Sequence, residues 1–253
     1  MKIAHFKKLL EGNNAVRIND DLIIFNDFEL YNLKDDSSKN YNSLEELLDA
    51  NPEAKEIIEK AGYFALRFDG GRGSNSTKMG GGFSSAGGRG GFEQIANATL
   101  NYGTAPGNSI KAVLGRFRDK YGDADKEYGA TVDEQGYVHK LGRGGKTSVS
   151  ISGNKGETII HNHPGGGHFS KADLMTTAST DAKGIIATSS KTNKPATYHF
   201  QKNQNFKSKE FIKAVNTAEW PANLSYDKGA DWWLKKNQRA YGYKYSSSKL
   251  IGE

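Results

Sequence analysis

The sequence predicts an α/β protein: an α/β/α sandwich over residues 108–253, preceded by a small α+β unit at 1–69 and a glycine-rich linker at 70–107. Three observations lead there. Helical and strand-like apolar periodicities alternate along the chain after residue 108. Short apolar runs separated by polar turns recur from Ala15 to Leu33. Ten glycines are concentrated in residues 70–91, between the two regions.

In the first region Val16-Arg17-Ile18, Leu22-Ile23-Ile24-Phe25 and Phe28-Glu29-Leu30-Tyr31 are interrupted by Asn19-Asp20-Asp21 and Asn26-Asp27, the pattern of short antiparallel strands with tight turns. Ser43 followed by Glu46 forms a capping box that starts a helix over Leu44–Leu48. Pro52 opens a second helix, Glu53–Lys60, where its missing N–H costs nothing. This unit carries no recognisable chemistry, and docking to a partner is its default role. Residues 70–91 bury too little apolar surface to offset the entropy of ordering them, so they read as a flexible linker. Arg72, Lys78 and Arg89 leave room for ordering on a polyanion or a neighbouring subunit. No Gly-Lys-Ser/Thr follows, which excludes a phosphate-binding loop.

The second region opens with a helix capped at Asn108-Ser109, with Ile110, Val113, Leu114 and Phe117 on one face. Strands are expected over Lys126–Asp133, from Tyr137, over Thr147–Ile151, and over Thr158–His161. Gly184–Thr188 and Ala196–Phe200 read as a further pair around the polar turn Lys191–Lys194. Helices follow at Phe206–Ala218 and Asp227–Tyr241, and the cluster Trp232, Trp233, Tyr241, Tyr243 and Tyr245 is expected to pack against the sheet.

The chemistry is concentrated in residues 161–173, which read HNHPGGGHFSKAD. His161 and His163 close a strand and project to the same side. Pro164 turns the chain, three glycines fold it back, Ser170 caps a helix, and Asp173 falls in that helix's first turn. Two imidazoles and a carboxylate make three ligands for Zn²⁺ with a fourth position for water, the arrangement of a catalytic site. The absence of cysteine excludes a thiolate-rich structural zinc site. The string His-Asn-His is not an HNH nuclease motif, because that label describes residues spread along a ββα finger.

His161-x-His163-Pro164 followed by Ser170-x-x-Asp173 resembles the signature of the JAMM (MPN-plus) metallopeptidases and the RadC-like proteins. With its glycine loop and Phe-Ser, it is most similar to JAMM-like domains of phage proteins. The resemblance covers roughly residues 108–250 and implies a cytidine-deaminase-like fold. It also implies zinc on His161, His163 and Asp173, with Ser170 helping to hold an oxyanion and an upstream glutamate acting as general acid/base. The loop between Pro164 and Ser170 is one residue shorter than the family's, which the three glycines can absorb. Glu127, opening the strand after a helix, is where the family places its glutamate. Glu134 lies in the following turn and reads as solvated, and Glu157 is too remote. His168 reads as an exposed loop histidine that could also touch substrate or serve as a spare ligand.

No run of 18 apolar residues is present, and the first residues lack the apolar core of a secretory signal. With zero cysteines, the expectation is a cytoplasmic protein, in a host cell or a virion if phage-encoded. The net charge of +6 is spread along the chain rather than gathered in a block, so nucleic acid is not expected as a partner. Three functional classes remain. The first is a zinc peptidase or isopeptidase acting on a protein, such as a ubiquitin-like conjugate or a phage structural protein. The others are a non-catalytic virion or assembly module and a RadC-like DNA-associated protein.

Overall fold

The structure, a computed structural model, describes residues 2–11, 14–19, 21–60, 83, 92–100, 102, 109–191 and 196–249. It is an α/β protein with two sheets and, among the described residues, seven α-helices. Helix α1 (Lys2–Glu11) precedes a four-stranded antiparallel sheet of β1 (Ala15–Arg17), β2 (Leu22–Phe25), β3 (Glu29–Asn32) and β4 (Ser37–Asn40). Helices α2 (Leu44–Ala50) and α3 (Pro52–Lys60) follow, and Ser43 caps α2 by accepting from the Glu46 N–H at 3.1 Å. The unbroken apolar run of β2 has the reason expected for a strand covered on both faces. Ile24 joins Phe6, Leu10, Leu44 and Leu47 beneath α1–α3. Ile23, Phe25 and Tyr31 face the other way, into the core of the second region. The N-terminal unit therefore shares a core with the rest of the chain. Sequence reading missed α1, and it missed β4 because all four of its residues are exposed.

An ionic clamp accompanies this contact. The Glu29 side chain, 2 % exposed, is held by Lys209 and by Lys213 at 2.5 Å. Burial alone would raise its pKa, but the two lysines outweigh it and bring the carboxyl from 4.5 down to about 2. A carboxylate whose folded pKa is depressed contributes stability fully present above its unfolded value and lost as pH falls through the folded one. Stability should therefore drop between pH 4.5 and about 2. Glu29→Gln should cost about 2 kcal/mol at neutral pH and flatten that part of the profile. Urea midpoints measured from pH 2 to 7 check this, and superimposable profiles would sink it.

The large sheet runs β11-β10-β9-β8-β6-β7-β5. Its strands are β5 (Glu93–Gln94), β6 (Tyr128–Val132), β7 (Val138–Arg143), β8 (Thr158–Asn162), β9 (Gly184–Ser189), β10 (Ala196–Lys202) and β11 (Tyr243–Lys249). All neighbours are antiparallel except β8 and β9. Helix α4 (Ile110–Tyr121) covers one face through Val113, Leu114 and Phe117, against Ala130, Val132, Ile160 and Ile186. The other face, carrying Ile159, Ile185 and Phe200, meets α5 (Lys171–Ser179), α6 (Ser208–Asn216) and α7 (Tyr226–Tyr241). Alternation along β8 thus separates Ile160 from Ile159 and His161, placing the histidine on the α5 side.

Several expectations are corrected here. Thr147–Ile151 is not a strand of the sheet. Strand β6, the strand it crosses, already pairs with β7 and β8 and offers it no edge. It lies over the sheet instead, with Val149 and Ile151 against Gly129, where an added Cβ would stand 3.0–3.3 Å from their methyl groups. Most of residues 70–107 lie outside the described residues, as do Asn108 and the tip of the Lys191–Lys194 turn. Within that stretch, Glu93–Gln94 pairs with β7, and Phe83 is buried edge-on to Trp220 and Trp233. Strand β11 was also missed. Gly242 ends α7 with φ of 74°, turning the chain so that Tyr243 and Tyr245 alternate into the core. Trp233, Tyr243 and Tyr245 pack as expected, whereas Trp232 is 38 % exposed beneath Lys236. One step along a helix turns the side chain by about 100°, so adjacent tryptophans cannot share a face.

Candidate metal centre

Strand β8 ends at the site, beside its parallel neighbour β9. The register pairs Gly129 with His161, and extended by two residues it sets Glu127 opposite His163. Period two then puts Glu127, His161 and His163 on the face covered by α5. The residue between the histidines holds this arrangement. Asn162, fully buried, donates through Nδ2 to the Lys126 carbonyl at 2.9 Å and accepts from the Tyr128 N–H at 2.5 Å. It thereby ties down the chain on both sides of Glu127. The Glu127 backbone is further fixed by its N–H to the Gly145 carbonyl and by the Gly144 N–H to its own carbonyl, both at 2.8 Å. Sequence reading passed over Asn162. The only available signal was a polar residue in an otherwise apolar strand end.

The glycine loop closes as a tight turn after His163. The Gly166 N–H donates to the His163 carbonyl at 2.8 Å, with Gly166 at φ 68°, a conformation that a side chain would oppose. Ser170 caps α5 as expected: its Oγ accepts from the Asp173 N–H at 3.2 Å, and its own N–H and O–H donate to Asp173 Oδ2 at 2.7 and 2.9 Å. This reciprocal cap orients the carboxylate. Ser170→Ala should cost about 1 kcal/mol of stability and weaken metal binding about tenfold. Urea unfolding of the metal-free protein and chelator competition measure the two effects separately.

The three sequence-predicted ligands converge. His161 Nε2 and His163 Nε2 are 2.7 Å apart, and they lie 3.4 and 3.5 Å from the Asp173 oxygens. All three ligand atoms lie within 4.8 Å of one another, so the triad could hold a metal ion. The imidazole-to-carboxylate distances match the roughly 3.3 Å separating ligands of a tetrahedral ion at about 2.0–2.1 Å. The imidazole pair is closer than that and would have to open by about half an ångström. The ring orientation suits a ligand: His163 Nδ1 donates to the Gly167 carbonyl at 2.7 Å, so Nε2 faces the site and offers its lone pair once its proton is displaced. His161 Nδ1 is buried and makes no hydrogen bond. The donor set of two imidazoles and one carboxylate fits a divalent transition metal.

Electrostatics follow burial and contact. Burial pushes His161 below the usual histidine range, partly opposed by Asp173. Burial acts the same way on His163, but Asp173, Glu127 and the Gly167 carbonyl outweigh it and raise the ring to about 9. Asp173 resists burial through both histidines and stays well below the carboxylate range. Glu127 thus acts electrostatically on His163, while itself 4 % exposed. Side-chain exposure is 2 % for His161, 6 % for Asp173 and 12 % for His163, so the site is reached from the His163 side. A small cavity beneath it is lined by Val149, Ile151, Ile159, Ile185 and Thr176.

The remaining carboxylates fall where the sequence put them. Glu134 is exposed at the hairpin and pairs with Lys183. Glu157 accepts from Asn154 in its own turn. His168 departs from the expectation of exposure. It is 3 % exposed, 2.6 Å from the Tyr245 hydroxyl and against the Tyr198 ring, with burial pushing its pKa down to about 3. The glycines turn this ring inward, under β10 and β11, so it neither joins the triad nor meets solvent. Among the described residues, no helix is long and apolar enough to cross a membrane. No family model, no curated protein and no solved structure matches this chain.

Proposed function

We propose that the chain is a zinc-dependent peptidase or isopeptidase of JAMM type, hydrolysing an amide bond in a protein substrate. The observation that carries this reading is the convergence of two imidazole nitrogens from the end of β8 and a carboxylate from the first turn of α5, with the buried Glu127 acting on His163. His161, His163 and Asp173 hold the ion. When bound, zinc would lower the pKa of a water from about 15.7 toward about 7 and polarise the scissile carbonyl. The Glu127 carboxylate would serve as the base that takes a proton from the attacking water and gives it to the leaving amine. Ser170 keeps Asp173 in place. To meet an oxyanion as well, its hydroxyl would rotate away from Asp173 Oδ2. Substrates consistent with this chemistry are ubiquitin-like conjugates or phage structural proteins, met in the cytoplasm or in a virion.

The near-closure of the site favours a second reading, a non-catalytic assembly module that keeps the metal for stability. Anomalous scattering at the zinc edge, combined with hydrolysis assays on isopeptide-linked conjugates, separates the two. One zinc at the triad with turnover supports the peptidase. Zinc that raises the melting temperature without turnover supports the module. The absence of zinc overturns both.

A further inference from the structure

The loop joining the two halves of the metal triad is anchored from outside, by the C-terminal part of the chain. The His168 N–H donates to Asp227 Oδ1 at 2.9 Å, and the Tyr226 hydroxyl donates to the Phe169 carbonyl at 2.8 Å. Both anchors come from the first turn of α7. A third contact comes from β11. The Tyr245 hydroxyl donates to Asp231 Oδ1 at 2.9 Å, so its oxygen accepts the Nε2–H of His168 at 2.6 Å. Ser247 also donates to Asp231 Oδ1, at 2.6 Å. The consequence reaches the metal ligands through one residue. Gly167, immediately before the anchored pair, supplies the carbonyl that accepts His163 Nδ1–H. That bond determines which nitrogen of His163 faces Asp173, and because glycines have no side chains to wedge the loop, the carbonyl's position depends on the hydrogen bonds on either side of it, from the Gly166 N–H to the His163 carbonyl and from the His168 N–H to Asp227.

We infer that Asp227 and the Asp231–Tyr245–His168 chain are positioning residues for the metal centre, acting through the Gly167 carbonyl on His163. This rests on the reading of the triad as a metal site. It gives α7 and β11, which contribute no ligand, control over the affinity of that site. Losing an outer partner of this kind lowers metal affinity about 10- to 100-fold.

The test is zinc affinity of the full chain by competition with a chromophoric chelator, alongside urea unfolding of the metal-free protein. Asp227→Ala removes the acceptor of the His168 N–H and should weaken zinc about tenfold or more. Asp227→Asn keeps an oxygen acceptor at the same place and should restore affinity to within about threefold. Tyr245→Phe keeps the ring packing, breaks the link to Asp231, and should weaken zinc in the same sense as Asp227→Ala. A merely structural role would lower the metal-free unfolding midpoint with zinc affinity unchanged, and that result would overturn the inference while leaving the metal site intact. Wild-type protein that takes up no zinc overturns the metal reading and this inference with it. If Asp227→Ala does not fold, Tyr245→Phe against wild type decides.

Discussion

If the triad binds zinc as proposed, the wild-type chain is expected to carry one ion, and replacing His163 by alanine is expected to remove it. The substitution takes away one of three ligands and leaves a buried site with His161 and Asp173 alone. It also strands the Gly167 carbonyl, which loses its donor. Metal analysis after dialysis reads the outcome, with circular dichroism establishing that the variant is folded. A folded variant that retains one zinc would show that the ligands lie elsewhere. Affinity should also fall as pH is lowered, because the imidazoles must be neutral to bind. In the metal-free site Asp173, Glu127 and Gly167 overcome burial and keep a proton on His163 up to about pH 9, and the ion must displace that proton.

The second large effect belongs to Glu127. Glutamine keeps the shape of the side chain and removes its basicity, so Glu127→Gln should leave fold and zinc content intact. Hydrolysis of a true substrate should fall by a factor on the order of 10² or more. The control is Glu134→Gln, for a carboxylate that is exposed and paired with Lys183 at the hairpin. It should change the rate little. Equal losses in the two variants, or a rate unaffected by Glu127→Gln, would remove Glu127 from the role of base.

The convergence of His161, His163 and Asp173 was legible because its geometry is local. Two residues apart on a strand means the same face, and a helix cap three residues before Asp173 sets its direction, so His161, His163, Ser170 and Asp173 needed no knowledge of the rest of the chain. Glu127 was reached only by context, from its place at the start of a strand. Its relation to His163 depends on the β6–β8 register, which joins residues 34 apart through Asn162. Elements with strong periodicity, such as α4 and β8, came out close to their bounds. Thr147–Ile151 has the same apolar alternation as a strand yet lies over β6, whose two sides are already paired, and alternation reports a buried face without naming what buries it.

What the sequence by itself determined is the α/β class, from its alternating apolar periodicities, and the common side of His161, His163 and Asp173, from spacings of two and three residues. What only the tertiary structure decided is everything that needs a distant partner. Burial of His168 depends on Tyr245, 77 positions away, and the clamp on Glu29 depends on Lys213, 184 away. The joining of the N-terminal sheet to the main core depends in the same way on α6. The physical reason is that a side chain's own chemistry sets what it can bind, whereas its exposure and charge state are set by the groups that displace water around it.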